Sequence, residues 1–290
     1  MSRQSYGGFL KDLFCCRVQK LNVNAGLSCP NRDGTLGWGG CIYCNNASFT
    51  PSFGNPTHSI TQQLLDGMKF YKDKYHEMRY LAYFQSFTGT YAPLYKLQSL
   101  YEEALAVPGV VGLVISTRPD CLSDNVIDLL CDINKTHRVI VELGIETVHD
   151  STLRRINRCH DWQCALNAVN SLASCDINVG CHLIMGLPGE TLADMIYTVK
   201  IVSELPVRTI KFHQLQVLKG TELARQWESG EVELIEWTAK EYADFCAQIL
   251  DILPERIIVE RMVSTASSQL LLYPRWGLKP QQFKDVFEDL

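Results

Sequence analysis

The chain has 290 residues, 46% of them hydrophobic and 20% charged, with a net charge of −5. That length can bury a full core without disulfides or a partner and fits one large α/β unit, while the charge excludes a strongly basic nucleic-acid binder and leaves only a local basic face. No window approaches the roughly 20 apolar residues of a spanning helix, and the first residues lack the apolar region and cleavage site of a secretion signal, so no membrane association and a cytoplasmic location are expected.

Strand-like runs rich in Val, Ile, Leu and aromatics occur at 18–24, 79–86, 110–117, 138–146, 176–186 and 208–218. Several are near-continuous apolar text, as strands buried on both faces should be. Helical text lies between them. Ser59 opens an amphipathic run to 70, and Ser123 opens 124–133. Asp161 or His160 precedes 162–173. Gly189, Glu190 and Thr191 lead into 192–205, which ends before Pro206. Thr238 opens 239–253, which ends at Pro254. Six strand-then-helix units in a row imply a parallel sheet, either doubly wound or a partial barrel. The chemically loaded residues fall at strand C-terminal ends, which favours a partial (β/α)6 TIM-like barrel. No linker divides the chain. A single domain over 1–290 is expected, with a barrel core at 18–265, a loop at 25–50 carrying the chemistry and a C-terminal extension at 266–290.

Twelve cysteines need a role. Cys121, Cys131, Cys159, Cys164, Cys175, Cys181 and Cys246 are scattered through helical or strand-like text and read as small buried hydrophobes. Cys15, Cys16, Cys29, Cys41 and Cys44 crowd into the first fifty residues. Cys41 and Cys44 are spaced so that a short loop can aim both thiolates at one metal centre. Cys29 precedes Cys41 across a glycine-rich loop able to fold back. A structural zinc would need a fourth ligand, from Cys15, Cys16 or His58. A thioredoxin-like centre needs only the Cys-x-x-Cys pair. A [4Fe–4S] cluster on three thiolates leaves one iron open to a substrate or cofactor.

The pattern of Cys29, Cys41 and Cys44, with Tyr43 just before the last cysteine, resembles the radical S-adenosylmethionine (SAM) superfamily. The commonest spacing there is three residues between the first two cysteines; here it is eleven. A longer first gap also occurs in the Elongator catalytic subunit. Further text is similar to that branch: Thr117-Arg118-Pro119-Asp120 after the third strand, Gly144-Ile145-Glu146-Thr147 and Asn157-Arg158-Cys159-His160 after the fourth, His182 with Met185-Gly186-Leu187-Pro188-Gly189 at the fifth, and Leu218-Lys219-Gly220-Thr221 at the sixth. The Cys-Pro-Asn-Arg-Asp-Gly-Thr text from Cys29 and the Gly40-Cys41-Ile42-Tyr43-Cys44 text resemble the small bacterial YhcC/YtqA-type radical SAM family.

The resemblance implies a [4Fe–4S] cluster on Cys29, Cys41 and Cys44, reduced by a flavodoxin- or ferredoxin-type donor, and reductive cleavage of SAM to a 5′-deoxyadenosyl radical. It implies SAM contacts from Tyr43 on adenine, Gly89 and Thr90 near the methionyl amine, Ser116 where relatives carry a carboxylate, Glu146 and His182 on ribose, Arg158 on the carboxylate and Gly186 at adenine. Each has a plainer role: loop packing for Tyr43, satisfied buried polar groups for Glu146 and His182, an exposed helix charge for Arg158, a tight turn for Gly186. By analogy with Elongator the substrate is a tRNA wobble uridine; the alternatives are a small molecule, or a non-catalytic metal-binding barrel. Arg154, Arg155, Arg158, Arg256, Arg261, Arg275 and Lys279 are the cations that could meet phosphate.

Overall fold

A computed structural model describes residues 3–46, 54–72, 78–264, 266–278 and 282–283. Residues 47–50 of the expected chemical loop, Lys279 and most of the chain beyond 278 lie outside the described residues. The order is α1 (Tyr6–Phe14), β1 (Val18–Val23), α2 (Ile60–Tyr71), β2 (Arg79–Phe84), α3 (Leu94–Leu105), β3 (Val110–Thr117), α4 (Asp124–Asn134), β4 (Arg138–Glu146), α5 (Asp150–Arg155) and α6 (Trp162–Ser174). It continues with β5 (Asn178–Met185), α7 (Leu192–Glu204), β6 (Thr209–Gln214), β7 (Val217–Leu218), α8 (Glu222–Glu228), α9 (Ala239–Ile252), β8 (Ile258–Arg261) and β9 (Leu271–Tyr273).

Seven strands form one parallel sheet in the order β1-β2-β3-β4-β5-β6-β8, curled into a partial barrel. Helices return the chain between them, as parallel pairing requires. The sheet therefore holds one strand more than the six expected. β8 escapes the sequence pattern because it is four residues long and ends in Glu260 and Arg261. The sixth expected strand is interrupted: β6 stops at Gln214, and Val217–Leu218 pairs antiparallel with β9. Among the described residues no helix is long and apolar enough to cross a membrane.

The helix starts follow local chemistry. Ser59, Asp161, Thr191, Thr221 and Thr238 each accept a backbone N–H from their own first turn. Thr191 with Asp194, and Thr238 with Glu241, close reciprocal capping boxes, each such cap contributing about 1 kcal/mol. The main core lies between the outer face of the sheet and the helices, with Leu113, Val141, Val179, Phe212 and Leu172 fully or almost fully buried.

The barrel interior is layered. At the base, Leu81, Val114, Ile140 and Ile258 pack against Phe9 and Leu10, so α1 plugs the N-terminal end of the strands. Above lies a polar layer to which all seven strands contribute one side chain: Lys20, Tyr83, Ser116, Glu142, His182, Lys211 and Glu260. Above that, at the strand C-terminal ends, the barrel opens.

The scattered cysteines depart from the expectation of small buried hydrophobes. Only Cys181 and Cys246 of the seven are fully buried. Cys131 on α4 and Cys175, the cap residue ending α6, form a disulfide. Both helices pack on β4, which brings their C-terminal ends together. Cys121 and Cys164 are half-buried and Cys159 is exposed.

Candidate active site

A cavity of about 230 Å³ occupies the C-terminal mouth of the barrel. Cys29, Cys41 and Cys44 line it, as do Tyr43, Ser116, Glu146, Arg158 and His182. These eight expected site residues come from the first long loop, three different strands and the turn after α5, so the fold brings together groups up to 153 residues apart in the chain (29 to 182).

The thiol loop folds back on itself through backbone and side-chain bonds. Arg32 N and Asp33 N donate to Cys29 O, Gly34 N donates to Gly37 O, and Gly40 N donates to Asn31 O at 2.8 Å. Gly40 has φ +86°, a conformation open to glycine at little cost. Asn31 is completely buried. Its amide donates to Asn157 O and, at 3.6 Å, to Cys41 Sγ, while Asn157 Nδ2 returns a bond to Gly40 O at 2.8 Å. Ile42 buries its side chain beside Leu153, Ile156, Ile184 and Leu223, and bonds through its backbone to Ile156 O and Leu223 N. The two cysteines flanking Ile42 are thereby fixed to α5, β5 and α8.

Arg158 is buried, not the exposed helix charge that sequence alone allows. Its Nη2 donates to Gly144 O at 2.5 Å and lies 3.2 Å from Glu146 Oε1; Nη1 reaches Cys41 Sγ at 3.5 Å. Gly144 is required here, since an added methyl would collide with the guanidinium and lie 2.7 Å from Glu146 Oε1. Glu146 sits at a register shift in β4–β5 pairing with φ +69°. Such a conformation costs a side-chain-bearing residue about 1–3 kcal/mol and persists where the surroundings impose it. Phe87, Asn157 and Cys159 are left-handed too, with φ of 61°, 55° and 60°, so four of the six non-glycine cases described lie at this mouth, three on loops and Glu146 at the end of β4. Cys159 donates its Sγ to Asn31 Oδ1 at 2.9 Å.

Three expected contacts stand elsewhere. Gly89 N donates to Ser116 O at 2.8 Å, and Thr90 Oγ1 bonds Thr117 Oγ1 and Cys121 O; both secure the loop after β2 outside the cavity lining. β2 ends at Phe84, so Gln85, Phe87 and Thr88 reach the cavity instead. Gly186, with φ +92°, donates its N–H to Met195 Sδ and lies beside the Trp237 indole; Ile184 takes its place in the lining.

Several site groups were not anticipated. Glu142 Oε1 is 2.5 Å from Lys20 Nζ, and Oε2 is 2.8 Å from Lys211 Nζ. Tyr83 OH, Ser116 Oγ and His182 Nε2 converge on Oε2 at 2.5, 3.1 and 2.9 Å. Glu260 bridges both lysines at 3.0 Å. Burial opposes charge on Glu142, but Lys20 and Lys211 prevail and hold its carboxyl well below the usual range. Burial and then Lys211 lower His182, and burial and then Arg261 lower His213 further, so both imidazoles are neutral at pH 7. Glu142 therefore fixes which nitrogen of His182 carries the proton.

The donor set fits an anionic, thiolate-held group. Arg32 Nη1, Arg118 Nη1, Arg158 Nε and the Tyr43 hydroxyl are buried without a hydrogen-bond partner, and all four side chains line the cavity with the thiols. Burying such groups unpaired costs about 1–3 kcal/mol each. Among the described residues no three His, Cys, Asp or Glu side chains are already drawn together to hold a metal ion. Cys15 and Cys16, two of the three fourth-ligand candidates for zinc, precede β1, whereas the thiols follow it; a six-residue strand separates the two ends by about 20 Å. His58, the third, is not among the residues lining the cavity. The remaining cations do not share one face. Arg256 donates to Ser203 O, Leu205 O and Val207 O at the C-terminal end of α7, Arg154 and Arg155 are exposed on α5, and Arg275 bonds Leu271 O.

Comparisons with known proteins agree with this geometry. The Radical SAM superfamily model matches residues 29–202, and the Radical_SAM C-terminal domain model matches 207–290. The Bacillus subtilis protein YtqA is 39% identical over 269 residues, covering 93% of this chain and 83% of its own. A tRNA uridine(34) acetyltransferase of Methanocaldococcus infernus is 28% identical over 124 residues, 42% of this chain and 23% of that protein. The solved archaeal Methanocaldococcus infernus Elp3 matches at TM-score 0.71 and 17% identity, over 94% of this chain but only 62% of that one. With three thiols at the mouth of a curled parallel barrel and a superfamily model spanning most of its strands, the chain belongs to the radical SAM superfamily of enzymes.

Proposed function

We propose that this enzyme holds a [4Fe–4S] cluster on Cys29, Cys41 and Cys44, binds SAM beside it, and modifies a tRNA wobble uridine. The observation that carries the reading is the convergence of three thiols with unpartnered N–H groups of Arg32, Arg118 and Arg158 on one cavity. When bound, the cluster and SAM supply one-electron reductive cleavage of the sulfonium and hence a carbon radical. The electron comes from an external donor of the flavodoxin or ferredoxin type.

The chain's own residues have separable tasks. Arg158 spans Glu146, Gly144 O and Cys41, tying a thiol to the end of β4. Its remaining Nε, with Arg118 Nη1, offers donors to a carboxylate. Tyr43 supplies an aromatic face next to the thiols, and neutral His182 offers a ring nitrogen to a hydroxyl. The barrel walls and the apolar base under α1 exclude water from below.

Likeness to a tRNA uridine(34) acetyltransferase supports tRNA as substrate. A second reading, a small-molecule substrate, is favoured by the dispersal of Arg154, Arg155, Arg256 and Arg275 instead of a single basic face. The test is paired. A deletion strain should lack one modified uridine in its tRNA. Purified enzyme should bind that tRNA with affinity falling about tenfold or more between 50 and 200 mM salt. Unchanged nucleosides together with salt-independent binding would refute the tRNA assignment.

A further inference from the structure

Of the four arginines that line the cavity, two have a carboxylate partner among the described residues. Arg158 is 3.2 Å from Glu146 and Arg118 is 2.7 Å from Asp120. Lys211 lies within 3.0 Å of both Glu142 and Glu260. Arg32, beside the thiols, has no carboxylate in ion-pair range among the described residues, and its Nη1 is buried without a partner. Arg261, at the end of β8, has no carboxylate in ion-pair range among the described residues. Its Nη2 touches only the His213 ring, at 3.2 and 3.4 Å, and its Nε is buried without a partner. Both side chains line the cavity.

The position is built, not loose. Ser264, three residues on, donates its N–H to Gln214 Oε1 at 2.7 Å and accepts from Gln214 Nε2 at 2.9 Å, so β6 holds the segment that follows Arg261. His213 is fixed from its other side by the His182 ring, with centroids 5.2 Å apart, and His182 by Glu142. A guanidinium held in a partly buried wall without an anion carries an uncompensated desolvation cost. Its planar fork suits two oxygens of one anion.

We propose that Arg261, with His213 behind it, is an oxyanion subsite on the β6–β8 wall that takes a phosphate or carboxylate group of the substrate. This rests on the reading of the cavity as the reaction site. It identifies the substrate as anionic near its reacting carbon. A nucleotide phosphate and an organic acid share the required chemistry. The wall differs from the one carrying Arg158 and the thiols, and the subsite must stay open while SAM is bound.

The test is calorimetric titration of inorganic phosphate, and separately of acetate, into the full chain. It is run on protein as purified and after loading with iron, sulfide and saturating SAM. Wild type should bind one of the two anions in both states. Arg261→Gln should lose about tenfold or more of that affinity, which a bidentate charged contact supplies. Arg261→Lys, which keeps the charge and the fold but not the fork, should lose part of it. Lys135→Gln, an exposed remote control, should lose none. Preference for phosphate assigns a phosphate ester, and preference for acetate an organic acid. Equal affinity in wild type and both Arg261 variants overturns the proposal, as does failure of wild type to bind either anion. Abolition by SAM also overturns it, because Arg261 would then serve the SAM carboxylate. SAM cleavage is measured independently: loss of cleavage in wild type with phosphate binding intact would count against the radical chemistry and not against the subsite.

Discussion

Glu142 is the centre of charge balance inside the barrel, and its replacement by Gln tests that account quantitatively. The carboxylate accepts from Lys20, Lys211, Tyr83, Ser116 and His182 while almost fully buried. Gln keeps the shape but leaves two buried lysines facing Glu260 alone. Removing one partner of a buried ion pair costs about 3–5 kcal/mol. A chain of this size unfolds with an entropy of about 0.6 kcal/mol/K, so Tm should fall by about 5–8 °C. The double variant Glu142→Gln/Lys211→Met, which restores neutrality, should regain part of the loss, with a coupling of about 1–3 kcal/mol. The pH dependence has a definite sign. The folded carboxyl titrates below its unfolded value of about 4.3, so its contribution is complete above that pH and lost as pH falls beneath it. The Tm gap between wild type and Glu142→Gln should hold from pH 8 to 5 and close below about pH 4. Calorimetry of the three proteins reads all of this. A single variant within about 1 °C of wild type, or strictly additive effects, would refute the reasoning.

Gly144→Ala pushes a methyl into Arg158 and Glu146, and overpacking of this kind costs about 1–3 kcal/mol; thermal melts should show it, with weaker iron retention on reconstitution. Asn31→Ala strips a buried donor from Asn157 O and Cys41 Sγ, and should cost about 1–3 kcal/mol while loosening the thiol loop, seen as faster proteolysis within 30–40. His182 and His213 both have lowered pKa values, so neither imidazole should titrate between pH 7 and 8 in nitrogen-resolved NMR; their folded state binds fewer protons than the unfolded, and stability should decline as pH drops below about 6.5.

Much of the fold was legible in the chain. β3 and β4 coincide with the expected 110–117 and 138–146, because uninterrupted Val/Ile/Leu text bounded by Gly, Pro or charged residues has few other readings. The caps at Ser59, Asp161, Thr191 and Thr238 were readable for the same local reason. β8 was not, since four residues carry too little periodicity; α3 was missed although Leu97, Leu100, Tyr101 and Ala104 keep helical spacing, because Pro93 at its start offers no side-chain cap to mark it. The thiol loop announced itself by residue type and spacing. The polar layer did not, because its members lie up to 240 residues apart. A signal was nonetheless present: Lys20, Glu142 and Lys211 are charged residues set inside strand-like runs, where burial tolerates charge only with a partner. Arg158 was marked by its motif, but its burial against Glu146 depends on the space left at Gly144 and the register shift at the end of β4, which no local pattern encodes.

The most direct test of the central claim is formation of 5′-deoxyadenosine. The full chain would be reconstituted anaerobically with iron and sulfide, reduced, and given SAM, with and without bulk tRNA. Wild type and Cys121→Ala should yield the product. Cys29→Ala, Cys41→Ala and Cys44→Ala should yield none and hold little iron while keeping the wild-type circular dichroism. Product formation undiminished in a folded Cys41→Ala variant, or a colourless wild-type protein that retains zinc in place of iron, would contradict the assignment of these three thiols to radical chemistry.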